Sequence, residues 1–162
     1  MADKVLTGAG ERLRRAWSSL SPKPGGKWLF SRLVGRMAPY SGSVGALVAE
    51  LRPGHATVVL SDRRKVRNHL GSIHAIALMN LGELATGLAT VATLPAESRS
   101  ILTGLSMEYL KKARGTITAV CDVTIPETVQ RAEHTVAGTL VDSSGDVVAR
   151  VTARWLVGPE GR

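Results

Sequence analysis

The sequence predicts an α+β fold in which a curved antiparallel sheet wraps one long central helix. Three observations carry this. Ile73 to about Ala92 is apolar or small nearly all round, which is the composition of a helix buried on every side. Strand-like stretches flank it, two before and four after, and a helix with no polar face needs a sheet curved around it. Residues 116–125 and 147–157 alternate between inward and outward side chains, the pattern of strands with one buried face. A chain of 162 residues, 44% of them hydrophobic, is long enough to close one core. A single cysteine excludes a disulfide-built scaffold.

Taken in order, residues 11–20 place Leu13, Trp17 and Leu20 on one helical stripe, predicting a short basic amphipathic helix. Pro22, Pro24, Gly25 and Gly26 end it. A second short helix is expected from Trp28 to about Met37, stopped by Pro39. Such helices either pack on their own domain or lie on a membrane surface or partner, and the first reading is the stronger prior. Residues 1–40 therefore read as a basic helical extension, 41–158 as the main domain and 159–162 as a tail. Strands are expected at 44–52 and 56–62, joined by the turn dipeptide Pro53-Gly54. Ser72 is placed to N-cap the long helix. Asn80, Glu83, Thr86 and Thr90 mark one polar stripe on it, and a carboxylate inside a bilayer would cost roughly 2.5–3.5 kcal/mol, so a core helix is expected rather than a membrane span. Beyond Leu94-Pro95 come strands at 101–110, 116–125, 132–141 and 147–157, the last two forming a hairpin.

Charge narrows the function classes. The net charge of +8 would ordinarily raise nucleic acid as a partner. Most of that excess lies in residues 1–40, which hold eight basic and two acidic residues; the remainder is nearly balanced. Six aromatic residues without basic interleaving make no stacking platform, and no zinc-finger spacing occurs. No apolar signal core opens the chain, so a cytoplasmic location is expected.

Glu83 is the charged residue that needs explaining. A lone helical Glu is usually solvated, but here its neighbours are Met79, Asn80, Gly82, Ala85, Thr86, Gly87 and Ala89 on a buried helix. Desolvation would raise its pKa and make it a competent general base. At the start of the same helix, backbone N–H groups such as that of Ala75 lack intrahelical partners and carry the positive dipole end, a ready oxyanion site. The two lie eight residues, roughly 12 Å, apart along the helix. They can flank one reacting carbon only if two antiparallel copies of the helix lie side by side, as in a two-fold dimer. Gly82 and Gly87 would let a helix or ligand approach closely.

Asn68-His69-Leu70-Gly71-Ser72-Ile73-His74-Ala75 followed by Leu81-Gly82-Glu83-Leu84-Ala85 resembles the hotdog-fold acyl-CoA thioesterases of the phenylacetate-pathway type. The resemblance covers about residues 40–157. It rests on an Asn six residues before a His, here Asn68 and His74, and an acidic residue nine after that His, here Glu83. It implies a hotdog fold and hydrolysis of an acyl-CoA, with Glu83 activating water or attacking the thioester. The Ala75 N–H would polarise the carbonyl, His74 set that turn, Asn68 position water or substrate, and Thr86 orient water. Substrate contacts would come from Gly71, Met79, Gly82 and Gly87. The active site would lie between subunits of a dimer or tetramer, with coenzyme A as part of the substrate and no separate cofactor.

Two positions depart from the family's pattern: the usual His-Gly-Gly is His74-Ala75-Ile76, and a proline is replaced by Lys112. A non-catalytic acyl-CoA or lipid-binding protein is therefore the alternative. A hotdog dehydratase ranks lower, because His74 sits at the wrong end of the helix. Arg64, Arg67, Lys112 and Arg114 are candidates for the coenzyme A phosphates, weighed evenly against an ordinary solvated face. Cys121 reads as core, His55 and His134 have no partner at recognisable spacing, and no metal site is expected.

Overall fold

In the computed structural model, which describes residues 8–125 and 130–159, three helices lead into the sheet: α1 (Ala9–Leu20), α2 (Gly26–Met37) and α3 (Pro39–Val44). There follow β1 (Leu47–Arg52), β2 (His55–Leu60), α4 (Ala75–Thr93), β3 (Ser98–Tyr109), β4 (Ile117–Asp122), β5 (Ala132–Val141) and β6 (Val147–Pro159). The first seven residues of the expected extension and residues 160–162 of the expected tail lie outside the described residues. All neighbouring strands are antiparallel, in the order β1-β2-β4-β5-β6-β3, and α4 touches all six. This is the α+β architecture that the all-round apolar helix demands.

Packing explains why that helix tolerates so little polarity. Leu81, Ala85 and Ala89 are completely buried, in one core with inward strand residues such as Val58, Leu140 and Ala153. A Cβ on Gly82 would stand 2.9 Å from Val151 Cβ and 3.0 Å from Met107 Cε, so the bare glycine is what lets α4 settle onto β6 and β3. α4 is long and apolar enough to cross a bilayer, but the sheet and the N-terminal helices cover most of it.

The two sheet edges are treated differently. At β1, Ser31 Oγ of α2 accepts a bond from the Val48 N–H at 2.9 Å, and Lys27 Nζ donates to the Ala49 carbonyl at 2.7 Å. These side chains satisfy groups that would otherwise invite another strand. The β3 edge, twelve residues long, carries no such cover among the described residues.

The apolar stripe of α1 faces its own domain: Leu13, Ala16, Trp17 and Leu20 pack against the core, and Trp17 meets Phe30 of α2 edge-on at 5.0 Å. Arg14 donates to the Ala92 carbonyl at 2.7 Å, latching α1 to the end of α4. Phe30 is 1% exposed. Phe30→Ala should therefore cost about 3–5 kcal/mol, read as a lowered urea midpoint in a single transition. A loss below about 1 kcal/mol would mean these helices rest on the domain without stabilising it.

Several boundaries differ from the sequence expectation for identifiable reasons. Pro39 opens α3 at its first position, where a missing N–H costs nothing, so it starts a helix as well as ending one. The first strand accordingly begins at Leu47. β3 begins at Ser98, because Ser98 to Ile101 pair with the extended end of β6. Ser72 does not cap α4. Its N–H is bonded to Asn68 Oδ1 at 3.1 Å, and Ile73 is held extended by a bridge to Arg67 and a bond to the Ala113 carbonyl. Capping passes to His74.

Candidate active site

The segment before α4 is held by a few polar bonds. Asn68 Oδ1 accepts from the N–H groups of Leu70 at 2.9 Å and Ser72 at 3.1 Å, closing a turn in which Gly71 takes a φ of +69°. The Asp62 carboxylate accepts from Arg67 Nε at 2.6 Å and the Gly115 N–H at 2.9 Å, and these bonds hold its pKa below the ordinary carboxylate range. The Asn68 carbonyl oxygen thus holds the loop that delivers residues 72–75, and the residue also lines the groove at the start of α4. Asn68→Ala should cost about 2 kcal/mol by orphaning two N–H groups, measured by denaturation and compared with Asn68→Asp, which keeps the acceptor.

At the helix start, His74 Nδ1 accepts from the Ile76 N–H at 3.1 Å. That bond requires an unprotonated Nδ1 and so places the neutral ring's proton on Nε2. The His74 carbonyl takes the Leu78 N–H, while the Ala75 N–H has no partner among the described residues. A groove of about 340 Å³ opens here, lined by Asn68, Ser72, Ala75, Tyr109 and Lys112 among others. Tyr109 donates to the Ala75 carbonyl at 2.9 Å. Ser72 Oγ is buried beside it with no bond partner, an orphan that a ligand's amide or carbonyl would satisfy.

Glu83 lies elsewhere, two helical turns on. Ile76, 51% exposed, and the partly exposed Met79 and Glu83 form the strip of α4 that the sheet and the N-terminal helices cover least. Burial pushes the Glu83 carboxyl above its ordinary range. Thus one chain offers an N–H groove at one end of α4 and a carboxylate on the strip beyond it, without bringing the two together.

The other expected site residues on α4 are occupied within the protein. Thr86 is fully buried; its hydroxyl donates to the Glu83 carbonyl at 3.0 Å and accepts from Trp155 Nε1 at 3.4 Å, so it is closed to water. Gly82 makes room for Val151 and Met107, and Gly87 for the Trp155 ring, 3.1 Å from where its Cβ would stand. Both glycines therefore admit the protein's own sheet, not a second helix or a ligand.

Among the phosphate candidates, Arg67 is bound to Asp62; the neighbouring Lys111, which was not among them, bridges Asp142 and Asp146. Arg64, Lys112 and Arg114 are exposed and make no ion pair among the described residues; only Lys112 of these lines the groove. The Cys121 thiol is pushed up to about 12 by burial, consistent with a core role. His55 is a residue that sequence reasoning left partnerless. Its Nδ1 lies 2.7 Å from Asp122 Oδ1, its Nε2 3.1 Å from Thr57 Oγ1 and 3.4 Å from Glu50. The pairing of β2 with β4 brings His55 opposite Asp122, a register with no local signal in the sequence. Among the described residues no His, Cys, Asp and Glu cluster is arranged to hold a metal.

Comparison with known proteins places this geometry in context. Residues 26–157 match a family model described as a domain of unknown function, DUF4442. No curated protein matches. A structural-genomics crystal structure is similar with a TM-score of 0.78 and 35% identity, over 91% of this chain and 97% of that one. A Pseudomonas aeruginosa protein of unknown function, called a probable thioesterase, gives 0.72 at 22% identity over 80% and 93%. A thioesterase family protein from Silicibacter pomeroyi gives 0.69 at 19% over 80% and 96%. At these lower identities the likeness is one of fold, and the fold is the hotdog.

Proposed function

Since the chain belongs to the DUF4442 family and folds as a hotdog domain, we propose that it hydrolyses an acyl-CoA thioester at a site shared between two copies. The observation that carries this reading is Glu83: a carboxylate raised in pKa by burial, on the partly exposed strip of an otherwise buried helix. The uncapped β3 edge and that strip give a second copy a place to pair, and antiparallel helices would bring the Ala75 N–H of one copy opposite Glu83 of the other.

In this mechanism ionised Glu83 takes a proton from water as the oxygen attacks the thioester carbonyl. The developing oxyanion is held by the partner copy's Ala75 N–H and the helix dipole. Collapse of the tetrahedral intermediate breaks the carbon–sulfur bond, and the proton on Glu83 passes to the departing thiolate. Direct attack by the carboxylate would give an anhydride that water then opens, with the same products. Lys112 at the groove and the exposed Arg64 and Arg114 would meet the coenzyme A phosphates.

The test is thiol release from acyl-CoAs of graded length, with thiol-reactive dye as the readout. Turnover of at least one member is expected. A second reading has one observation of its own: Ile76, half exposed, stands where the resembling family has glycine, narrowing the approach to the N–H. That reading, a non-catalytic acyl-CoA-binding protein, predicts saturable binding of the same panel with no thiol released.

A further inference from the structure

Among the described residues, five of the eleven exposed large hydrophobic side chains fall between residues 28 and 40: Trp28, Leu29, Leu33, Met37 and Tyr40. Met37 is 83% exposed and Tyr40 64%, on α2 and the first turn of α3. The exposed half of α2, from Trp28 on one flank through Arg32, Arg36, Leu29 and Leu33 to Met37 on the other, thus mixes apolar side chains with two arginines. Arg32 stacks over the Trp28 ring at 5.4 Å. Neither Lys23 nor Arg36 has a partner among the described residues, and no acidic residue occurs between Glu11 and Glu50. Beside this face, α2, α3 and β1 enclose a cavity of about 360 Å³ with Arg32, Arg36 and Arg63 in its lining and Val34, Val48 and Leu84 among its apolar walls. Arg63 is fixed there by donating to the Val44 and Gly45 carbonyls at 2.7 and 3.1 Å.

We propose that this face docks the protein on an anionic phospholipid surface, with Trp28, Leu33, Met37 and Tyr40 entering the headgroup boundary and the arginine-lined cavity receiving a lipid phosphate. Exposed aromatic and aliphatic side chains among cations, with no acid among them, are what an interfacial helix presents to such a bilayer. The α1 stripe is not this surface, because it is packed on the core. The inference does not rest on the thioester reading, since it concerns the side of the domain at β1, away from the β3 edge.

The experiment is co-sedimentation of the full chain with vesicles of phosphatidylcholine alone or mixed with phosphatidylglycerol. Binding to the mixed vesicles is expected, weakening with salt, with little binding to the neutral ones. Arg32→Gln with Arg36→Gln should weaken partition on the order of 30-fold, the worth of two cations near an anionic surface. Leu33→Ser with Met37→Ser should weaken it roughly tenfold or more. Both pairs are exposed, so circular dichroism should be unchanged, as should hydrolysis of a soluble short-chain acyl-CoA. Equal binding to both vesicle types, no binding to either, or variants that bind like the parent would overturn the proposal. So would a Met37→Asp variant of lower assembly mass, which would put a second copy of the chain on this face.

Discussion

Glu83→Gln is expected to lose thioester hydrolysis by about 10²–10⁴-fold, the usual worth of a positioned general base, and at neutral pH to unfold at higher urea than the parent. The two effects share one cause. Burial raises the Glu83 carboxyl above its ordinary range, so between the unfolded and folded values the native state holds a proton that the unfolded chain has released. Its contribution to stability is therefore fully present below the unfolded value and declines as pH rises through the folded one. Glutamine has the same shape and no charge to desolvate, so its advantage should grow from acid toward neutral pH and vanish below the ordinary carboxylate range. Activity runs the other way: kcat/KM should rise with pH along a limb whose midpoint lies above that of an exposed Glu, because only the ionised carboxylate can take water's proton. Activity within tenfold of the parent would remove Glu83 from the chemistry. A stability gain without an activity loss would mark it as a merely buried acid.

What the sequence could show depended on whether the governing interaction was local. The central helix was legible because every turn of it is apolar, and alternation announced β6 with Val151, Ala153 and Trp155 inward. Glu83 was legible as an anomaly against that background. Three things were not. The N-cap moved from Ser72 to His74 because the Asn68 side chain takes the Ser72 N–H and Ala113, forty residues on, holds Ile73 extended. Gly82 and Gly87 looked like doors for a partner, but which side chain fills a glycine's space depends on the register of β6, which brings Val151 and Trp155 across. His55 and Asp122 are 67 residues apart, and only the β2–β4 pairing joins them. Of the two candidate roles of the N-terminal helices, packing is seen in the α1 stripe and Phe30, which face the core, while Trp28, Leu29, Leu33, Met37 and Tyr40 are left exposed.

Ala75→Pro should fold as well as the parent, to within about 1 kcal/mol, yet lose about 10²–10³-fold in kcat, the effect of removing one oxyanion donor. Most backbone donors cannot be deleted without breaking the structure around them, but this one can. Ala75 is the first residue of α4, where proline's fixed φ suits the helix, and its N–H has no partner to lose. His74, with φ −63° and ψ 139°, already holds the extended conformation that a residue before proline prefers. Mixing then separates a shared site from one built within a single chain. In a heterodimer of Ala75→Pro with Glu83→Gln, one of the two sites pairs an intact carboxylate with an intact N–H, and the other carries both lesions. Random reassociation of equal amounts makes about half the dimers mixed, so about one quarter of parental activity should return, from two parents that have almost none. Recovery of that size is expected after co-refolding and absent when the two are mixed without exchange. If co-refolded subunits exchange, shown by differently tagged copies purifying together, and activity still does not return, the carboxylate and the N–H act within one chain, and the helix-length argument that separated them is wrong.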